Sequence, residues 1–183
     1  LEGVSKSGGR PEPQARKEDL SALWGEAGVV QEAGQPDVRF ETAFRAGEIW
    51  SEVDATMISQ ALTNLIKNAG EAIESLQEKG APEGHRPQIR VASHVAGEEA
   101  IIEISDNGIG LPEDRSRLFE PYVTTREKGT GLGLPIVKKI IEEHGGTLSL
   151  EAAAPFEEGA HAGPKAGVRL PVLTAAATHL DGT

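Results

Sequence analysis

The clearest pattern in the chain lies between Asp54 and Lys79. There Ile58, Ala61, Leu62, Leu65, Ala69, Ala72, Ile73 and Leu76 recur at intervals that put them on one apolar stripe of a long helix, with Asp54 as its N-cap. Gln60, Asn64, Asn68 and Glu71 form a second, polar stripe at steps of four, four and three, so their side chains line up along a single face. A shorter amphipathic helix is predicted over Glu18 to Ala33, where Leu20, Leu23, Trp24, Ala27 and Val30 carry the period and Gly34 follows. Leu134 to His144 reads as a third helix, stopped by Gly145-Gly146.

Alternation marks the strands. Val38 and Phe40 alternate with Arg39 and Glu41 within Asp37 to Phe44, and Gln88 to Val95 and Ala100 to Ser105 flank Gly97-Glu98-Glu99 as a hairpin. Thr147 to Ala153 and Val168 to Leu173 are two further strands, joined by a loop containing Pro155, Gly159, Gly163 and Pro164. Leu1 to Lys17, rich in Gly, Ser, Pro and charge, has no apolar period and reads as a linker or disordered leader; residues from Thr174 onward read as a flexible tail. One domain over 18–173 is therefore expected. Inside it, Asp106 to Gly133 is too long and too rich in Gly and Pro for a plain connector, and has the character of a functional loop or lid.

Bulk composition narrows the function. A chain of 183 residues supports one well-packed core. Its 18 basic and 29 acidic side chains leave a net charge of −11, which repels nucleic-acid phosphates and anionic membrane surfaces. There is no cysteine, which removes disulfides and thiolate metal sites, and neither a signal-like leader nor a run of about 18 apolar residues is visible. A cytoplasmic location is the expectation, with no nucleic acid and no membrane contact by this segment. With only two Trp, one Tyr and four Phe, the core must be aliphatic.

Three groups of residues carry candidate chemistry. Asn64 and Asn68, four apart on one helical face, place two amide oxygens where a hard cation such as magnesium is held; alone, the pair fits an ordinary polar stripe as well. Asp106-Asn-Gly-Ile-Gly110 follows an apolar strand, so a carboxylate at the strand end can accept from an exocyclic amine while Gly108 and Gly110 let backbone pass close to a ligand; a simple Asx-Gly turn is the plainer reading. Gly129-Thr-Gly-Leu-Gly-Leu134 runs into a helix whose unsatisfied N–H groups favour phosphate oxygens. It is not a P-loop, because no Gly-Lys-Ser/Thr occurs, and no strand directly precedes it as a dinucleotide fold requires. Upstream, Phe119 and Tyr122 add apolar bulk, and Arg126 and Lys128 supply cations that could reach a phosphate.

Taken in order, Asn64-Leu-Ile-Lys-Asn68-Ala, Asp106-Asn-Gly-Ile-Gly110, Phe119-Glu-Pro-Tyr122 and Gly129-Thr-Gly-Leu-Gly-Leu134 resemble the asparagine, first glycine, phenylalanine and second glycine boxes of sensor histidine kinases. The resemblance covers about Asp54 to Leu173, and Ser59 to Ile73 together with the leader looks like the nitrogen-regulation (NtrY-type) branch. It implies a two-layer α/β sandwich of the Bergerat type, a mixed sheet covered by helices on one side, with ATP and Mg²⁺ between the long helix and a lid. It also implies roles: Asn68 as magnesium ligand with Asn64 nearby, Asp106 on the adenine amine, and Gly108 and Gly110 shaping the adenine pocket. Thr130, Gly131, Leu132 and Gly133 would offer backbone N–H groups to the phosphates, and Arg126 would occupy the lid position where the family often has lysine.

In ATP-hydrolysing cousins such as gyrase and the heat-shock chaperones, a glutamate one turn before the magnesium asparagine activates water. Here that position is Asn64, whose amide is no general base, so transfer to a protein side chain is favoured over hydrolysis. The family's acceptor is a histidine followed by an acidic residue, and none of His85, His94, His144, His161 or His179 has that neighbour. The expected partners are therefore a separate histidine-bearing dimerisation domain and, downstream, a response regulator. The last glycine box departs from the family's pattern as Gly163-Pro-Lys-Ala-Gly167, and His144 reads as a partner of the helix dipole. An ATPase and a nucleotide-sensing scaffold are the alternative functions.

Overall fold

The computed structural model describes residues 12–44, 47–111 and 133–173. Its base is a mixed sheet of β2 (Arg39–Phe44), β4 (Gln88–Ala96), β5 (Glu99–Asp106), β7 (Pro164–Pro171) and β6 (Thr147–Ala152), in the order β2-β4-β5-β7-β6. β2 runs parallel to β4 and every other pairing is antiparallel. Register decides which face is apolar. Val91 stands opposite Ile104, Ile104 opposite Ala166 and Ala166 opposite Leu150, while Ile102 stands opposite Val168 and Val168 opposite Leu148. Those two rows share one face of the sheet. Most of their members are buried in the main core with residues of α1 (Leu20–Ala33), α2 (Ala55–Lys79) and α3 (Leu134–Glu143). Each Val, Leu or Ile among them contributes about 1.5–3 kcal/mol when fully buried.

The long helix forms as the apolar stripe requires. Asp54 caps α2 by accepting from the Met57 N–H at 3.1 Å, and Ile58, Ala61, Leu62, Leu65, Ala69, Ala72, Ile73 and Leu76 are all buried. The hairpin between β4 and β5 closes on the two residues Gly97-Glu98, because Ala96 pairs with Glu99. α3 ends as the double glycine predicts, with the N–H groups of Gly145 and Gly146 returning to the carbonyls of Glu142 and Ile141.

Several boundaries differ from those the sequence predicts. Across the boundary between the stretch read as a leader and the helix predicted from Glu18, Arg16–Asp19 is strand β1, paired antiparallel with β3 (Trp50–Val53), a strand the sequence pattern does not reveal. β1 owes its form to pairing and to an anchor, the Gln14 N–H on Asp54 Oδ2 at 2.8 Å, rather than to any apolar period of its own. α1 starts at Leu20 and not Glu18, since the Asp19 carboxylate accepts from both the Ser21 and the Ile49 N–H groups and so fixes the cap there. β7 starts at Pro164 and not Val168, because pairing with β5 and β6 on its two sides draws Pro164-Lys-Ala-Gly167 into the sheet. His144 stands at the end of α3 where the sequence places it: its Nδ1 lies 2.7 Å from the Ile140 carbonyl in the last turn, and its Nε2 receives the Asp54 N–H at 3.0 Å, which ties the end of α3 to the start of α2.

Candidate functional site

α2 carries both asparagines on the stripe the sequence assigns to them. Asn64 is 8% exposed, and its Nδ2 donates to the Gln60 carbonyl one turn back at 2.8 Å. Asn68, one turn further on, is half-buried, and its side chain has no hydrogen-bond partner among the described residues. An amide in that state has its oxygen available to a cation. A groove of about 550 Å³ runs between α1 and the first half of α2 and borders Asn64 and Lys67, but not Asp106 or Gly108. It is therefore a different place from the one where a carboxylate could meet a base.

That carboxylate ends β5. Asp106 is 4% exposed, and its Oδ1 accepts the Gly108 N–H at 2.8 Å. Gly108 lies directly on α2: an added Cβ would stand 2.3 Å from the Ala72 carbonyl carbon and 2.3 Å from the Ile73 nitrogen, a contact only glycine allows. The next N–H, of Ile109, donates to the Ala72 carbonyl at 2.8 Å. Ala72 is one helical turn beyond Asn68, so the acid-bearing turn and the asparagine are fastened to adjacent turns of one helix. Gly110, by contrast, is exposed with open space around it, and nothing in its packing demands glycine.

Four residues without a site assignment in the sequence reading hold this turn. Asn107, 8% exposed, receives the Gln88 N–H on its Oδ1 at 2.9 Å and donates to the Arg86 carbonyl at 2.8 Å. His85 Nε2 lies 2.8 Å from the Asn107 carbonyl, and His161 Nε2 lies 2.8 Å from the Gly108 carbonyl. Gly163 sits against Asp106 so closely that a Cβ would lie 2.6 Å from its carbonyl oxygen and 2.9 Å from Oδ1. The degenerate glycine box was the only signal for Gly163; the histidines stand in Pro- and Gly-rich connections where no period points to them.

Of the phosphate-side residues, Gly133 is the N-cap of α3, with its carbonyl accepting from the Ile136 and Val137 N–H groups. Thr130, Gly131, Leu132 and Arg126, with Phe119 and Tyr122 of the expected lid, lie outside the described residues. Among the described residues no cluster of three or more His, Asp or Glu side chains could hold a metal. No described helix is long and apolar enough to cross a membrane.

A mixed sheet roofed on one face by helices, with a buried acid at a strand end clamped to the long helix, defines a two-layer α/β sandwich of the ATP-binding kind. Residues 53–173 match the family described as histidine kinase-, DNA gyrase B-, and HSP90-like ATPase, and the chain belongs to that family. Within it the chain is similar to sensor histidine kinases: it is 46% identical over 144 residues to the nitrogen regulation protein NtrY of Azorhizobium caulinodans, covering 78% of this chain and 18% of that protein. It is 39% identical over 104 residues to the sensory histidine kinase/phosphatase NtrB of Rhodobacter capsulatus, covering 55% of this chain and 29% of that one. Among solved structures, the catalytic domain of the histidine kinase ThkA superposes with a TM-score of 0.71 at 27% identity, covering 86% of this chain and 95% of that one. The chain thus corresponds to the ATP-binding catalytic part of such kinases and spans less than a third of the length of these two curated relatives.

Proposed function

We propose that this domain binds Mg·ATP between α2 and the turn after β5 and donates the γ-phosphate to a histidine on a separate helical domain of a two-component sensor kinase. The observation that carries the reading is the clamp of Gly108 on Ala72, which ties the buried Asp106 to the same helix, one turn from Asn68. Asp106 would accept from the adenine amine, with Gly108 forming the floor of the pocket and Gly110 its open edge. Asn68 would offer its amide oxygen to magnesium, with Asn64 beside it. Bound magnesium would neutralise charge on the phosphate oxygens.

Thr130, Gly131, Leu132 and Gly133 would bind phosphates through backbone N–H groups, and Arg126 would reach them from the lid. The domain's own work is then orientation and charge neutralisation, which phosphoryl transfer chiefly needs. Asn64 favours transfer over hydrolysis, since its amide cannot take a proton from water and is already engaged with Gln60. A response regulator would receive the phosphate afterwards; the related ThkA has been solved in complex with one.

Titration calorimetry of ATP and ADP, with and without Mg²⁺, tests this. Wild type binds adenine nucleotides, and Asp106→Asn loses roughly 10- to 100-fold in affinity, the worth of a hydrogen bond to a charged group. If folded wild type binds neither nucleotide, the reading is wrong.

A further inference from the structure

The Asp106-Asn107-Gly108-Ile109 turn is held in an unusual way. Its two consecutive peptide groups are each gripped at both ends. The peptide joining Asn107 to Gly108 has its carbonyl on His85 Nε2 at 2.8 Å and its N–H on Asp106 Oδ1 at 2.8 Å. The peptide joining Gly108 to Ile109 has its carbonyl on His161 Nε2 at 2.8 Å and its N–H on the Ala72 carbonyl at 2.8 Å. A carbonyl oxygen only accepts, so both histidines donate from Nε2. The two rings meet edge to face, with centroids 5.9 Å apart and planes at 74°, which couples the grips. His85 is itself tied down through its backbone N–H on the Pro82 carbonyl, and its Nδ1 is buried without a hydrogen-bond partner among the described residues.

We infer that His85 and His161 are positioning residues for nucleotide recognition, fixing the two glycine peptides so that Asp106 presents its carboxylate to the base in one orientation. The inference rests on the proposed adenine role of Asp106. Its logic is that a peptide flanking glycine rotates at little steric cost. Were the Asn107–Gly108 peptide to turn over, its N–H would leave Oδ1 and the carboxylate would lose one of the bonds that orient it. α2 restrains only the second peptide, and Asp106 supplies only the N–H partner of the first. The two imidazoles, from the connections before β4 and before β7, hold the carbonyl ends that no backbone group holds.

The test uses this chain with His85→Phe and His161→Phe, which keep a flat ring and remove the donor, and with His161→Gln, which restores a donor. ATP and inosine triphosphate, which lacks the exocyclic amine, are titrated against each, with circular dichroism and thermal melting to check folding. The Phe variants are expected to bind ATP about 3- to 10-fold more weakly, the worth of one hydrogen bond. They should also narrow the preference for ATP over inosine triphosphate, and His161→Gln should recover part of both. A merely structural role would lower the melting point and weaken both nucleotides alike. If wild type prefers ATP and both folded Phe variants keep that affinity and preference, the positioning role is refuted while the site reading stands. If wild type binds neither nucleotide, the site reading itself fails. Should His85→Phe not fold, His161→Phe and His161→Gln decide the matter alone.

Discussion

Replacing Gly108 by Ala puts one methyl group into the backbone of α2. The new Cβ would stand 2.3 Å from the Ala72 carbonyl carbon, 2.3 Å from the Ile73 nitrogen and 2.5 Å from the Ala72 oxygen. Carbon contacts want about 3.5 Å or more, so helix and turn must part by roughly 1 Å. None of the three atoms belongs to a side chain that could swing aside. The separation strains or breaks the Ile109 N–H bond to Ala72, now 2.8 Å. Overpacking costs typically about 1–3 kcal/mol and the lost bond about 0.5–1.5, giving an expected loss of roughly 2–4 kcal/mol. At a urea slope near 2 kcal/mol/M, the unfolding midpoint should fall by about 1–2 M. Gly110→Ala is the internal control, because nothing lies within 4 Å of its Cβ and the midpoint should hardly move. Nucleotide titration of the folded variants should show the same order, with Gly108→Ala much the weaker binder. Equal midpoints for the two variants would refute the argument that the turn is clamped to the helix.

Two further outcomes follow from the helix that carries the asparagines. The carboxyl of Asp54 is held below its ordinary value of 3.8, first by the Gln14 N–H and then by the N–H groups of Met57 and Thr56, with burial opposing. A depressed acid lends stability above its unfolded value and withdraws it as pH falls through the folded one. Urea midpoints measured at pH 6 and then below pH 4 should therefore drop more for wild type than for Asp54→Asn, which keeps a capping side chain; parallel drops would contradict the assignment. Gly70 lies mid-helix, and its added Cβ would meet only the end of the Gln35 side chain, at 2.1 Å from Oε1. That amide can swing away, so Gly70→Ala should gain up to about 0.5–1 kcal/mol from helix propensity, and a lower midpoint would show that Gln35 is fixed.

Much of the frame was legible because long elements advertise themselves. The apolar stripe of α2, its Asp54 cap and the β4–β5 hairpin each state their period over eight or more residues. What escaped was short or borrowed. Trp50–Val53 is four residues with a single alternation, and Arg16–Asp19 is all charge; both become strands through pairing with each other and not through a period of their own. The acid and the asparagines were readable as motifs, since box order is a local property of sequence. The grip on that acid was not, because His85, His161 and Gly163 meet it from connections 21, 55 and 57 residues away in the chain. Nothing in a lone histidine between Gly84 and Arg86 announces a backbone carbonyl as its partner.

β3 has one more consequence. On one side it pairs with β1; on the other, the Leu173 N–H returns to the Trp50 carbonyl at 2.8 Å and the Ser51 hydroxyl donates to the Pro171 carbonyl. The path into the domain and the path out of it thus lean on the same four-residue strand, and the next residue along is Asp54, the cap of α2. Both ends of the described domain are thereby fastened to one strand that leads directly into the helix bearing Asn64 and Asn68.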